Sequence, residues 1–225
     1  MADPALKICG ISNPEDLALL SSYGPDYLGF VFYERSPRYV QPEQLATWLA
    51  VQRYHCGEVG KTMPKLVGVF VDLAIPELLS IAERCKLDVL QLHGSESRSC
   101  LEELRAQTDC EIWKAIRLGS GVPACAVAEY TDFGVLLDSW SADAYGGTGR
   151  RVQASLLREA LALHHRVILA GGVAAENVSE FYALRPFAVD LSSSLESAPG
   201  KKDAVRLDRF FSAWKSMQNN NGSEQ

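Results

Sequence analysis

Positive charge is in short supply in this chain. The 22 Lys and Arg residues against 28 Asp and Glu leave a net charge of −6. That balance excludes a general nucleic-acid binder, which needs a basic face. Long apolar runs are missing too, and none approaches the ~20 residues of a membrane span. The opening "MADPALK" has neither the charged start nor the apolar stretch of a secretory signal. The expectation is a cytoplasmic protein with a small-molecule partner, no nucleic acid and no membrane.

Paired cysteines and clustered histidines are also scarce. Six cysteines, at 9, 56, 85, 100, 110 and 125, include no CxxC pair. Disulfide scaffolds are short and dense in cysteine, so this chain reads as one from a reducing compartment. Of the four histidines, His164 and His165 are sequence neighbours that point apart on a helix, while His55 and His93 stand alone. The reading therefore carries no metal and no cofactor.

What is present is a large apolar share, 47% of 225 residues, enough for one large α/β domain or two small ones. Short β-branched and aromatic runs read as strands over 5–10, 27–32, 65–71, 88–93, 111–117, 133–139, 166–172 and 187–193. Helical spacing follows each, over 13–24, 41–54, 75–85, 95–107, 122–130, 152–165, 174–185 and 203–217. Several of these open on a proline or a polar cap. Strand–helix alternation implies a parallel sheet, and eight units closing on themselves make a single-domain (β/α)8 TIM barrel. A doubly wound open sheet is the rival, and the count of eight favours the barrel. Residues 1–217 form the expected domain, with 218–225 a disordered polar tail.

In such a barrel the active site lies at the C-terminal strand ends, so polar residues there carry the weight. Gly171 and Gly172 follow the seventh strand, and Ser192, Ser193 and Ser194 follow the eighth. The glycines alone fit a tight turn equally well, but with the serines they favour a phosphate cradle. Asp138 ends the sixth strand after two leucines, where desolvation would raise its pKa and suit a general acid; a capping or ion-pairing carboxylate is the alternative. Gly146, Gly147 and Gly149 then supply a loop able to close over it. Lys7 and Cys9 share one face of the first strand. If that face is inward, the ammonium favours the thiolate and Cys9 becomes a base near neutral pH; if not, Cys9 is a core filler. Arg38, behind Pro37, either offers a fork to a substrate carboxylate or lies on the surface. His93, on one strand face with Gln91, either lines the pocket or bonds a loop carbonyl. A thiol base and a carboxylic acid at one mouth form a proton-shuttling pair, which points toward an isomerase of a phosphorylated small molecule.

Taken together, "KICG" (7–10), "GFVF" (29–32), "SPR" (36–38), "VGVFV" (67–71), "LQLHG" (90–94), "LLD" (136–138), "GGTG" (146–149), "AGG" (170–172) and "DLSSSLESAPGKKD" (190–203) resemble the phosphoribosylanthranilate isomerase family. The resemblance implies an Amadori rearrangement in which Asp138 protonates the sugar-ring oxygen and Cys9 removes the C2′ proton. It implies further that Arg38 holds the anthranilate carboxylate, that Gly171, Gly172, Ser192 and Ser193 cradle the phosphate, and that Asp190 positions that loop. Lys7, His93 and Gly147 complete the implied pocket, and a monomer or homodimer is expected. Two departures stand out. Val152, Gln153 and Ala154 replace the usual Phe-Asp-Trp after "GGTG". Ser194 replaces a glycine, which would strain the backbone if that position needs positive φ. The alternatives are another sugar-phosphate enzyme on the same barrel and a catalytically silent sugar-phosphate binder.

Overall fold

The computed structural model describes residues 3–117, 122–138 and 154–222. Eight strands pair in parallel and in sequence order into a closed barrel: β1 (Ala5–Ile8), β2 (Tyr27–Val31), β3 (Lys65–Phe70), β4 (Val89–Leu92), β5 (Glu111–Arg117), β6 (Gly134–Asp138), β7 (Val167–Ala170) and β8 (Ala188–Leu191). Closure is made by β1 on β8, with Lys7 opposite Asp190. That one register position sets two charged residues side by side inside the barrel.

Alternation along each strand divides the core into two. Tyr27, Val67, Val89, Trp113, Leu136, Ile168 and Ala188 fill the barrel interior, while Leu6, Ile8, Leu28, Phe30 and Leu90 pack outward among buried helix residues. The lower end is plugged by Tyr27 and Trp113, edge to face at 5.1 Å. A side chain at Gly134 would run into Trp113, its Cβ falling 2.3 Å from Cδ1, so the indole occupies space that only glycine leaves.

The connecting helices are α1 (Pro14–Tyr23), α2 (Pro42–Glu58), α3 (Ile75–Cys85), α4 (Arg98–Arg105), α5 (Ala154–Leu163), α6 (Val178–Ala183) and α7 (Ala204–Gly222). Their ends follow local chemistry. Asn13 caps α1 by accepting from the Asp16 N–H at 2.8 Å, proline occupies its first turn, and Gly24 ends it at φ 73°. Ser97 caps α4 in the same manner.

Four differences from the sequence reading have physical reasons. The unit after β5 is a 3-10 helix, Ala124–Tyr130, because its inward residues Ala124, Val127 and Tyr130 recur every three positions and so line one face of a three-residue turn. Helix α6 starts at Val178 rather than near 174, since Asn177 accepts from Ala174 N and donates to the Gly172 carbonyl, making a turn of its own. Helix α2 runs on to Glu58 and α7 to Gly222, so residues 218–222 of the expected tail continue a helix; extending an established helix is far easier than starting one. Finally, β8 leads into a 3-10 turn (Ser193–Leu195) and a small antiparallel hairpin, β9 (Glu196–Ala198) and β10 (Lys201–Lys202).

Candidate active site

The C-terminal mouth of the barrel gathers the polar residues. On β1, the register that buries Leu6 and Ile8 against helices turns Lys7 inward. Lys7 Nζ lies 2.8 Å from Asp190 Oδ2, and both side chains are buried. Burial lowers the Lys7 pKa, but Asp190 and Cys9 together, by charge and by hydrogen bonding, outweigh it and hold the ammonium above its ordinary range. Asp190 Oδ1 is buried with no hydrogen-bond partner among the described residues.

Cys9 follows at the strand end and is 9% exposed. Its N–H donates to the Leu191 carbonyl at 2.7 Å. Across from it, a Cβ on Gly29 would come within 2.8 Å of Sγ, so β2 leaves room for the thiol by having no side chain there. The expected thiolate is corrected by this environment. Burial pushes the thiol above its ordinary value near 9; Lys7 and Lys202 pull it down, but Asp190 adds to the upward push and desolvation wins. The Lys7 ammonium is shared between the Asp190 carboxylate and the Cys9 thiol.

Asp138 ends β6 with its side chain 22% exposed, and Oδ2 lies 3.7 Å from His93 Nε2. His93 Nδ1 meets Gln91 Nε2 at 2.9 Å. With that amide nitrogen as donor, the neutral imidazole carries its proton on Nε2, facing Asp138. His93 thus lines the mouth, among the two placements open to it from sequence. Asp190 sits within electrostatic reach of Lys7, His93 and Asp138, and it acts in turn on Cys9. The thiol and the carboxyl therefore face one shared field.

Arg38 reaches back over the mouth and is 23% exposed. Its Nε and Nη2 donate to Glu196 at 2.9 and 2.6 Å. Gly10, at φ 80°, makes this approach possible: a Cβ there would stand 2.5 Å from Arg38 Cδ and 2.9 Å from Ser192 Oγ. Gly171 and Gly172 adopt φ 87° and 69° after β7, a conformation that glycine takes without strain. A Cβ on Gly172 would meet nothing, so conformation and not space is what glycine supplies there. Ser192 is half-buried, Ser193 exposed, and the Ser194 hydroxyl is buried without a partner among the described residues. Positive φ among described non-glycine residues occurs at Asp72, Lys86 and Arg185 alone, so the strain anticipated at Ser194 is absent. Gly147, with Val152 and Gln153, lies outside the described residues; Ala154 opens α5.

Two functional-looking charges escape the sequence reading. Glu196 and Lys202 are buried beside the mouth, paired at 3.0 Å. The signal for them was the Pro199-Gly200 turn between them, which folds both strands of a hairpin inward. A separate cleft of about 580 Å³, lined by Tyr33, Tyr39, Ile81 and Arg84 among others, lies outside this constellation. Among the described residues no group of three or more His, Cys, Asp or Glu is placed to hold a metal, and no helix is long and apolar enough to cross a membrane.

A closed eight-strand barrel with a thiol, a carboxyl and a glycine–serine rim at its C-terminal mouth defines the class: a TIM-barrel protein with its titratable groups gathered where that scaffold carries its sites. Comparison with known proteins narrows it. A family model for N-(5′-phosphoribosyl)anthranilate isomerase matches residues 6–213. The N-(5′-phosphoribosyl)anthranilate isomerase of Trichlorobacter lovleyi is 39% identical over 208 residues, covering 92% of this chain and 95% of that one. Monomers generated from the dimeric enzyme of Thermotoga maritima align with TM-score 0.77 at 33% identity, over 94% of this chain and 98% of theirs. An isomerase of this type solved with reduced 1-(o-carboxyphenylamino)-1-deoxyribulose 5-phosphate aligns with TM-score 0.79 at 31% identity, over 95% and 99%. The chain belongs to the phosphoribosylanthranilate isomerase family. It is an intramolecular oxidoreductase of tryptophan biosynthesis, converting N-(5′-phosphoribosyl)anthranilate to 1-(2-carboxyphenylamino)-1-deoxyribulose 5-phosphate.

Proposed function

We propose that Asp138 is the general acid and Cys9 the general base of this isomerisation. Asp138 donates its proton to the ring oxygen, the C1′–O bond breaks, and the anthranilate nitrogen takes up the positive charge as a protonated Schiff base. That cation makes the C2′ proton acidic. Cys9, as thiolate, accepts it, and the electron pair of the C–H bond moves to give an enolamine, which relaxes to the ketone. Because burial holds the resting thiol protonated, its proton is released to solvent as the thiolate forms, and positive charge nearby, from Lys7, Lys202 and the Schiff base itself, favours that form. A thiolate of raised pKa is, once formed, the stronger base.

The observation that carries this reading is that buried Asp190, ion-paired to Lys7, lies within the electrostatic field of Asp138, His93 and Cys9, so that the thiol and the carboxyl share one site. After the two proton transfers Cys9 is a neutral thiol and Asp138 a carboxylate, which regains a proton before the next turnover. Arg38 takes the anthranilate carboxylate. Gly171, Gly172, Ser192 and Ser193 take the phosphate through backbone N–H groups and hydroxyls, supported by the positive φ of both glycines.

Steady-state turnover of freshly generated phosphoribosylanthranilate, followed by loss of its fluorescence, tests the assignment. Cys9→Ser and Asp138→Asn are each expected to lose on the order of 10²- to 10⁴-fold in kcat, the usual size of a general acid or base contribution. Near-normal turnover in either variant would overturn its role. All six cysteines are free, which supports a cytoplasmic, reducing location. A monomer or homodimer is expected, the Thermotoga maritima relative being named as dimeric, and sedimentation distinguishes them.

A further inference from the structure

The β9–β10 hairpin carries two charged side chains that no step above uses. The side chains of Lys202 and Glu196 are 0% and 3% exposed. A lysine ammonium has three protons to donate, and three acceptors surround this one: the Cys9 carbonyl at 2.7 Å, Glu196 Oε1 at 3.0 Å and the Ser192 carbonyl at 3.3 Å. The first belongs to the thiol residue at the end of β1. The last belongs to the first serine after β8. Between them, Glu196 is the carboxylate that Arg38 grips through Nε and Nη2, which leaves Nη1 outside the contact.

Stability alone does not call for such a pair. Desolvating two charges offsets much of their attraction, and apolar side chains of similar volume often serve the fold as well. The hairpin is, moreover, fastened to the start of α1. Lys202 N donates to Asp16 Oδ2 at 2.8 Å, and the Gly200 carbonyl accepts from Ser12 Oγ at 2.7 Å and Asn13 Nδ2 at 3.2 Å. The ammonium is thus held at a fixed point, with each acceptor in a different part of the mouth.

We propose that Lys202 and Glu196 are positioning residues for the isomerisation. Lys202 keeps the Cys9 backbone and the phosphate loop in one register, and Glu196 aims Arg38 so that its remaining edge meets the substrate carboxylate. This inference rests on the roles argued above for Cys9 and Arg38.

The test compares full-length wild type with Lys202→Met, Glu196→Gln, Arg38→Ala and Cys9→Ser. Turnover is measured together with inhibition by two probes: the reduced product analogue, which carries carboxylate and phosphate, and inorganic phosphate, which carries no carboxylate. For Lys202→Met, kcat should fall on the order of 100-fold, the scale of a small misplacement of reacting groups, with weaker inhibition by both probes. For Glu196→Gln and Arg38→Ala, analogue binding should weaken about tenfold or more, the loss of a charge-assisted fork, while phosphate inhibition stays as in wild type. Wild-type kcat and inhibition constants in Lys202→Met and Glu196→Gln would overturn the proposal, even with a lowered melting temperature, because the pair would then be structural. If Lys202→Met does not fold, Glu196→Gln decides: unchanged analogue affinity overturns it. Normal turnover in Cys9→Ser would instead sink the underlying assignment. An inactive Cys9→Ser beside wild-type-like Lys202→Met and Glu196→Gln would sink this inference alone.

Discussion

Cys9, the proposed base, rests in its acid form. Its thiol is buried, and desolvation outweighs the two ammonium groups nearby. Alkylation follows the thiolate, so the consequence is measurable. At pH 8, iodoacetamide should modify the exposed Cys125 well before Cys9, with Cys9 labelling accelerating as pH rises above 9 and falling when product analogue is bound. Peptide mass spectrometry reads both sites in one sample. Faster labelling at Cys9 than at Cys125 at pH 8 would contradict the environment described. Arg38 is a second residue whose meaning lies in its partner. As a lone arginine it reads as surface; held by Glu196 over Gly10 it becomes a fixed fork.

At the scale of the element, the start of α1 does two jobs. Asn13 caps the helix through its side-chain oxygen, and its amide nitrogen donates to Asp16 Oδ2 and to the Gly200 carbonyl. The cap and the anchoring of the β9–β10 hairpin are thus one cluster. Asn13→Ala should lower stability by about 1 kcal/mol through the lost cap. It should also reduce kcat, because the hairpin that places Lys202 loses a fastening. Chemical denaturation and turnover on the same sample check the pair of effects, and an unchanged kcat would confine Asn13 to capping. The 3-10 helix between β5 and β6 makes a related point. Apolar residues three apart select a three-residue turn as readily as they select a helix face, and what they pack against decides.

For the molecule as a whole, the barrel must close its last helix over its first. Tyr23 on α1 stacks on Phe211 of α7 at 4.5 Å, and its hydroxyl donates to Asp208. Burial and the neighbouring carboxylate push the phenol up to about 12. A phenol whose folded pKa lies above its unfolded value of about 10 adds stability that is fully present below pH ~10 and lost as pH rises toward 12. Wild type should therefore be more stable than Tyr23→Phe at pH 8, with the gap closing between about 10 and 12. Melting temperatures across that range give the answer, and a gap that widens with pH would contradict the hydrogen bond.

Much of this protein is written in its linear pattern. Alternating β-branched runs, proline- and asparagine-led helices and the count of eight lead to a closed barrel, because burying strand and helix faces at those periods has few other solutions. The barrel in turn tells which strand ends to weigh, and so nominates Cys9, Asp138 and the glycine–serine rim as candidates. What pattern could not carry is charge at close quarters. Whether Lys7 activates Cys9 depends on Asp190, 183 residues away; Arg38 depends on Glu196, 158 residues away; and Lys202 depends on carbonyls from both β1 and the β8 loop. Electrostatic interactions act through space and are set by burial, and a residue's position along the chain reveals neither. The order of the elements was decided by sequence. The environment of Lys7 and Cys9 was decided only when the first and last strands met.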